Sequence, residues 1–471
     1  MNRRRTSRLR AGQLAFRAAL SLGVLALLAI ATITGWPDQA LSPQAQALLT
    51  PPTEPADADN GAVLLEGLLA PTGSDPLAFG SARIERLRQH FSNPRTRDMP
   101  YFPADLPADA LQPASLTPAA RQLCDPLDSA CIDSWFAQSI DIELWADRDA
   151  ELFTRLDRMM ALPRFQTPTI PSALAPPPDF SLLDAILRLR LAAATLTLQQ
   201  QKNADEACAL LARQVLFLRR LLAETPTSLA QKQLASSQLR VHYLTLGEWA
   251  ARWPKMLAAQ TVVLTPLLQD LSPAELDLRP AMQTDTREVA YGIDALDLAP
   301  LALSPRLELA SSVTAFALFK RNTTLNALAA YLDTLDAALA APLDERARQA
   351  HAARQAFLAG PARANAPGQW LYNPVGRLLL SVTATSPRPY LDRLIDTQAA
   401  VRMVMLQHEL AATETDDDAA IAARIKAHPL AMLSDNRVIR FDAPTHRLVW
   451  SLASARAAGA NPPTYDIQLV R

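Results

Sequence analysis

Two acidic residues, Asp285 and Glu288, have a spacing that could support acid–base chemistry. Residues three positions apart share one face of a helix, so the two carboxyl groups would lie side by side. Paired carboxylates can cleave glycosidic bonds when their surroundings separate their pKa values. The same residues also suit the first turn of a helix that begins near Arg287, because acidic side chains there favour the helix dipole. Spacing alone is weak evidence, so we favour the second interpretation and assign no catalytic residue. A catalytic pair would require a concave site that buries both acids.

Motifs of other enzyme classes are missing or incomplete. The sequence contains no G-x-S-x-G nucleophile motif, no P-loop and no glycine-rich dinucleotide turn. His408 and Glu409 begin the pattern of a zinc-protease helix, but Ala412 occupies the position of the second histidine. The acidic run Asp416–Asp418 could attract a divalent cation, but adjacent carboxylates point in different directions and suit a loop or a helix N-terminus better. We predict no cofactor and no metal site.

Two further residues with reactive side chains are predicted to be structural. His242 lies beside Tyr243 within a predicted helix, and we interpret it as a hydrogen-bonded core or boundary histidine. Cys208 starts a run in which apolar residues are spaced alternately by three and four, the pattern of a buried helix face. This run consists of Cys208, Leu211, Val215, Leu218 and Leu222.

The other two cysteines, Cys124 and Cys131, enclose a short loop that contains Asp125-Pro126 and Asp128. Such a turn-prone loop can bring the two thiols close enough to bond in an oxidising compartment. We predict a disulfide between Cys124 and Cys131, with two reduced thiols as the alternative. A metal site is disfavoured because the pair lacks the two-residue spacing of zinc ligands and a nearby histidine.

The N-terminus has the composition of a membrane segment. Six arginines precede an uncharged run from Ala18 to Trp36, and its nineteen residues give roughly 28 Å of helix, about the thickness of a hydrocarbon core. Because basic residues stay on the cytoplasmic side, we predict a cytoplasmic head at 1–17, a transmembrane signal anchor at 18–36 and an exported remainder. A signal peptide cleaved near Ala29-Ile30-Ala31 is the alternative, and it exports the remainder as well.

The overall composition favours helices. The 471 residues include 13 glycines and 37 prolines, an imbalance that suits helices separated by rigid connectors. The net charge of −1 argues against nucleic acid as a partner, since phosphate contacts need a concentrated basic face. Nearly all of the basic residues are arginine, and alanine is abundant, which we interpret as the base-composition bias of a bacterial genome.

The pattern of apolar residues and prolines predicts a mainly α fold. We expect a Pro/Ala-rich tether at 37–60, a helical domain at 61–360 and a C-terminal α+β subdomain at 361–471. Ser181 is a plausible N-cap for a helical hairpin of 182–201 and 206–224, and a third helix at 228–252 would complete a helical bundle or short α-solenoid. Other helices are expected at about 62–69, 80–91, 133–160, 264–270, 287–297, 311–339, 343–358, 390–413 and 419–427.

The C-terminal subdomain is expected to end in a β-meander. Short alternating or apolar runs at 438–441, 447–452 and 465–469 are separated by turn residues, which predicts three strands. The segment Trp370–Gly376 is expected to be an apolar loop that docks on the body.

These features predict a single-span protein of the bacterial inner membrane whose bulk faces the periplasm. The favoured interpretation is a scaffold, adaptor or assembly factor that binds a protein partner in the cell envelope. A hydrolase of peptidoglycan or another envelope polysaccharide is the alternative, with the carboxylates in a cleft. A binder of lipid or of a small apolar ligand between the helices is a further alternative.

Overall fold

The chain is mainly helical, with a small antiparallel sheet near its C-terminus, as the sequence predicts. In this computed structural model the described residues are 24, 37–93, 96, 123, 131–170, 172, 174–200, 203–296, 319–362, 372–411, 417–433, 437–453 and 464–469. In that part of the chain no helix combines the length and the apolar character that a membrane crossing requires. The basic head and, apart from position 24, the predicted anchor at 18–36 lie outside the described residues.

The helices and strands are numbered in chain order over the described residues. The helices are α1 (Pro43–Leu48), α2 (Gly61–Glu66), α3 (Pro76–Ser92), α4 (Cys131–Ala137), α5 (Ser139–Arg148), α6 (Ala150–Ala161), α7 (Phe180–Gln199), α8 (Ala204–Ala223), α9 (Leu229–Arg252), α10 (Pro254–Ala258), α11 (Thr261–Leu264), α12 (Arg279–Ala295), α13 (Arg321–Leu339), α14 (Leu343–Ala362), α15 (Pro374–Thr383), α16 (Arg388–Ala411) and α17 (Asp418–Ala427). The strands are β1 (Arg440–Asp442), β2 (Arg447–Ser451) and β3 (Thr464–Gln468).

Several element boundaries differ from the sequence-based expectation. The helix predicted at 133–160 is divided into α4, α5 and α6, because the backbone leaves the helical conformation at Gln138 and Asp149. The N-cap of α7 is Asp179 rather than Ser181, since the Asp179 carboxylate accepts the Leu182 N–H at 3.0 Å. An acidic cap two residues earlier satisfies the free N–H groups and lets the helix begin at Phe180.

Helix α9 lies at the centre of the helical body. It packs against α7, α8 and α16, and 18 of its 24 residues are buried. A helix that is buried on every side must also find partners for its polar side chains. His242 illustrates this requirement, because its Nδ1 lies 2.7 Å from the Gln238 carbonyl oxygen and its Nε2 lies 3.0 Å from Oε1 of Gln214.

The three strands form an antiparallel sheet in the order β1-β2-β3. Arg440 pairs with Val449 across the first pair of strands, and Trp450 pairs with Tyr465 across the second. Strand β2 alternates between half-buried and buried residues, and its buried side chains face the core that α16 lines. The predicted C-terminal meander is therefore confirmed.

A buried carboxylate ties this sheet to α16. Asp396 is fully buried and accepts hydrogen bonds from the Ala453 N–H at 2.8 Å and from Trp450 Nε1 at 3.3 Å. The guanidinium groups of Arg437 and Arg240 lie 3.8 Å and 4.0 Å from its oxygens. Four groups that favour negative charge thus surround one carboxylate in the core.

Backbone contacts divide the chain into two compact units. The first contains the described residues up to Thr50 together with Val289–Leu335 and Ala352–Thr385. The second contains Pro51–Glu288, Asp336–His351 and Ser386–Arg471. This grouping differs from the boundaries expected at residues 60 and 360, because it follows contacts between segments distant in sequence.

Within the first unit, the start of the predicted tether is bound to α13. The Asp38 carboxylate accepts the N–H groups of Asn322 at 2.7 Å and Thr323 at 3.0 Å, which caps the N-terminus of that helix. Ala45 and Leu48 of α1 are buried. The segment at 37–48 is therefore packed, which differs from a free tether.

The first unit also contains a helix that the sequence analysis missed. Helix α15 begins where an apolar loop was expected, and its N-cap Asn373 has a φ of 78° and accepts the Gly376 N–H at 3.1 Å. Asn can adopt this left-handed conformation, and Pro374 fits the first helical position. The Asn-Pro pair is therefore a helix start, which the apolar character of the segment obscured.

Candidate active site

An acidic cleft of about 310 Å³ lies within the second unit. Its wall contains three carboxylate side chains, Glu66, Asp285 and Glu288. These residues come from α2 and α12, which are far apart in the sequence. Sequence analysis singled out two of the three, and the structure places that pair in a concave site.

Asp285 is anchored at the N-terminus of α9. Its Oδ1 accepts the backbone N–H of Leu229 at 3.0 Å, and the positive end of the helix dipole favours the ionised carboxylate there. Burial outweighs this effect and raises the pKa of Asp285 to about 6. Asp285 therefore titrates close to neutral pH.

Glu288 lies one turn further along α12 and faces the same cleft. Burial, followed by the negative charge of Asp285, raises the pKa of Glu288 to about 7. The side chain itself stays exposed to the cleft, so solvent reaches the carboxyl group and screens part of the effect. Between pH 6 and 7 the two carboxyl groups together carry close to one proton, most of it on Glu288.

Glu66, at the end of α2, is the third acid. Its side chain is 10% exposed, and its Oε2 lies 3.2 Å from Nε of Arg83. Burial raises the pKa of Glu66, while the charge of Arg83 opposes that rise. Glu66 is thus the cleft acid with a cationic partner, and the charge of Arg83 lowers its pKa against the larger effect of burial.

The rest of the cleft wall is apolar and stiff. Prolines line one part of it, at Pro168 and Pro176–Pro178, and Phe180, Ile84 and Leu87 add apolar surface. The hydroxyl group of Thr167, also in the wall, is buried and makes no hydrogen bond within the described part of the chain. A few polar groups in a preformed apolar setting are typical of a small-molecule site.

The remaining histidine candidates lie elsewhere. His242 is fully buried, and burial lowers its pKa to about 4, so the ring is neutral at physiological pH. This agrees with the interpretation of a core histidine. His408 and Glu409 are both exposed on α16, and Glu409 lies 2.9 Å from Nε2 of His428.

The acidic run after α16 forms a helix cap. Asp417 accepts the Ala419 N–H at 3.0 Å and caps α17, and Asp418 lies in its first turn. Asp416 lies outside the described residues. Among the residues that the structure describes, no group of three or more His, Cys, Asp or Glu side chains could hold a metal ion.

The cysteines have separate roles. Cys208 is free and fully buried in α8, and burial raises its pKa to about 11, so it is a core residue as predicted. Cys131 is disulfide-bonded at the start of α4. Cys124 lies outside the described residues, and its pairing with Cys131 stays a prediction.

Sequence analysis missed Glu66 and the proline wall. Glu66 is the only charged residue of α2, whose other members are apolar or glycine. A single acid at the end of a buried helix could have signalled a partly buried carboxylate. The sequence analysis took the prolines in general to be rigid connectors between helices, and the role of Pro168 and Pro176–Pro178 in the wall depends on contacts with distant segments.

No family model, curated protein or solved structure matches this chain. The geometry of the cleft and the chemistry of its side chains are therefore the basis for a functional proposal.

Proposed function

We propose that this chain is a membrane-anchored protein of the bacterial envelope whose acidic cleft cleaves a glycan by acid–base catalysis. The observation that carries the proposal is the position of Asp285 and Glu288 in a concave site, with Glu66 also in its wall. Glycosidases need two carboxyl groups next to the scissile bond, one protonated and one ionised. The anchor at 18–36 and the export of the remainder are part of this proposal.

Glu288 is assigned the role of general acid. With a pKa of about 7, a large fraction of Glu288 is protonated near neutral pH, and its exposure in the cleft gives a substrate access to the proton. It would donate this proton to the leaving oxygen of the glycosidic bond. Asp285 ionises first and holds the proton on Glu288 through charge repulsion.

Glu66 is assigned the role of base. Arg83 favours its ionised form, and an ionised carboxylate can take a proton from the attacking water. The apolar wall of Phe180 and the prolines would pack against the faces of a sugar ring.

The test measures the release of reducing ends from purified peptidoglycan and from other envelope polysaccharides by the full-length chain. We expect Glu288→Gln to lower kcat/KM by about 10²-fold or more, the usual contribution of general acid catalysis. Glu85→Gln is the matched control, because Glu85 is exposed beside the lining residue Ile84 and is not part of the cleft wall.

The pH profile separates catalysis from a purely structural role. Asp285→Asn removes the charge that raises the pKa of Glu288, so the alkaline limit of activity should move to lower pH. Full activity of Glu288→Gln on every polysaccharide that the wild type cleaves, or no cleavage by the wild type, would overturn the enzymatic proposal.

A scaffold, adaptor or assembly factor is the second candidate, and a separate observation supports it. On α5, Ile140 and Leu144 are 81% and 62% exposed one turn apart. On α15, Leu378 and Val382 are 65% and 71% exposed with the same spacing. Exposed apolar pairs on a helix face are typical of protein contacts.

Crosslinking in intact cells tests this second candidate. The full-length chain should capture a specific membrane partner that is lost from a version without residues 1–36. Ile140→Glu with Leu144→Glu should reduce capture, whereas Asp141→Lys, a charge change in the same helix, should not. Capture of no stoichiometric partner by the full-length chain would contradict the scaffold proposal.

A further inference from the structure

A second cavity, separate from the acidic cleft, lies in the second unit and has a volume of about 430 Å³. It is enclosed by the last turns of α9, by α10 and α11, and by the end of α16. It shares no residue with the acidic cleft. Its volume lies within the range of small-molecule sites in proteins.

The inner surface of this cavity is aliphatic. Leu246, Leu257 and Leu264 are buried residues of its wall, and Val404 closes the side formed by α16. A cavity of this size with branched aliphatic walls offers an alkyl chain a place out of water.

The exposed part of the cavity lining includes basic side chains. Lys255 and His408 are the lining residues with basic side chains, and both are exposed. None of the described lining residues is acidic. Glu248, two residues before the lining residue Ala250, lies within 3.7 Å of both Arg252 and Arg447. Glu409, next to the lining residue His408, lies 2.9 Å from Nε2 of His428.

The wall of the cavity is held in place by hydrogen bonds. Gln407, a lining residue of α16, donates from Nε2 to the carbonyl oxygens of Gly247 at 2.8 Å and Gln468 at 2.7 Å. These two bonds join α16 to α9 and to β3. A cavity whose wall is fixed before binding loses little conformational entropy when a ligand enters.

We propose that this cavity binds a medium-chain fatty acid, with its alkyl chain between α9 and α11 and its carboxylate at Lys255 and His408. The aliphatic wall would hold the alkyl chain of the ligand. The basic lining residues, with no acidic lining residue beside them, would favour an anionic head group. This site is independent of catalysis in the acidic cleft.

Photocrosslinking of the full-length chain in its own membranes tests the proposal. The probe is a dodecanoic acid that carries a photoreactive diazirine at the end of its chain, and the adducts are located by mass spectrometry. Adducts should lie on the segments 246–268 and 404–411. Excess dodecanoic acid should compete best, dodecanol less well, and dodecyltrimethylammonium least.

Matched substitutions locate the site and its charge. Ala258→Trp and Thr261→Trp place a ring at two exposed lining positions and should each abolish labelling, whereas Ala259→Trp, at a neighbouring exposed position outside the wall, should not. Lys255→Glu should lower labelling at limiting probe by about fivefold, the scale of a partly exposed ion pair. Lys426→Glu makes the same charge change on α17 and should have no effect.

Two results would overturn the proposal. Labelling that survives both tryptophan variants, or adducts that lie outside the two named segments, would place the probe elsewhere. Equal competition by the three head groups, or full labelling of Lys255→Glu, would show that the cavity does not select a carboxylate.

Discussion

The carboxyl group of Asp396 and those of the acidic cleft differ in the partners that surround them. Asp396 is fully buried and has two N–H donors and two guanidinium groups around it. Asp285 has one backbone N–H donor, and Glu288 has the negative charge of Asp285 beside it. The first arrangement surrounds a carboxyl group with donors and guanidinium groups. The second leaves two acids whose raised pKa values let them exchange a proton near neutral pH.

This difference in partners distinguishes an acid that stabilises the fold from an acid that can take part in proton transfer. A buried charge with complete partners contributes to a specific packed arrangement and becomes costly when one partner is removed. A carboxyl group that is desolvated without such partners keeps its proton up to higher pH. The burial of an acid therefore does not by itself identify a functional residue. The number of its hydrogen-bond donors and the charge of its neighbours are more informative.

The largest effect is expected at the partnered site. Asp396→Ala should lower the free energy of unfolding by about 3–5 kcal/mol, because it leaves Arg240 and Arg437 buried without their carboxylate. Urea unfolding at pH 7 measures this change, and Asp333→Ala on the exposed face of α13 is the control. If Asp396→Ala lowered the free energy of unfolding by less than about 1 kcal/mol, Asp396 would not differ from the cleft acids as a stabilising residue.

The cleft should respond in the opposite direction. Asp285→Asn should raise the free energy of unfolding at pH 8 by about 2 kcal/mol, because it removes a charge that burial disfavours. The amide oxygen can still accept the N–H of Leu229. Urea unfolding at pH 8 and at pH 4 measures the change.

The pH dependence of this second prediction has a definite sign. The pKa of Asp285 rises from 3.8 to about 6 on folding, so the folded state binds more protons than the unfolded state between these values. Its contribution to stability is complete below pH 4 and is lost as the pH rises through 6. The gain from Asp285→Asn should therefore vanish at pH 4, and a gain independent of pH would contradict this explanation.

A smaller gain is expected at Glu288. Glu288→Gln should stabilise the chain at pH 8 by less than about 1 kcal/mol, since its exposure lets solvent screen the carboxylate. Thermal unfolding at pH 8 measures it, with Glu345→Gln on α14 as the control. A gain larger than that of Asp285→Asn would reverse the order of the two cleft acids.

The coupling between the two cleft acids should be the smallest effect. Asp285→Asn should lower the pKa of Glu288 from about 7, but burial should keep it above its ordinary value. Carbon-detected NMR titration of the glutamate carboxyl groups measures this. An unchanged pKa would mean that the two groups do not interact.

The sequence predicted the positions of helices better than it predicted contacts between distant segments. The hairpin of α7 and α8 and the helix α9 lie within about three residues of their predicted bounds, because their apolar periodicity is local. The segment of the predicted tether shows the opposite case, since the Asp38 carboxylate accepts the N–H of Asn322 at a separation of 284 residues. Such a cap has no signature in the sequence around it.

For the candidate site too, the sequence predicted local geometry but not tertiary contacts. The spacing of Asp285 and Glu288 placed both acids on one helix face, which follows from helical geometry. Their burial depends on a proline wall and on α2, which begins at Gly61. The raised pKa values therefore arise from tertiary contacts that a helical spacing cannot reveal.

The hydrogen bonds of Asp38 also limit the distance between the first unit and a membrane span at 18–36. If residues 18–36 span the bilayer, Pro37 is the single residue between that span and the cap of α13, and one residue reaches about 3.5 Å. In that case the first unit would stay next to the membrane surface and could not move far into the periplasm. Its binding partners would then be molecules that lie close to the lipid surface.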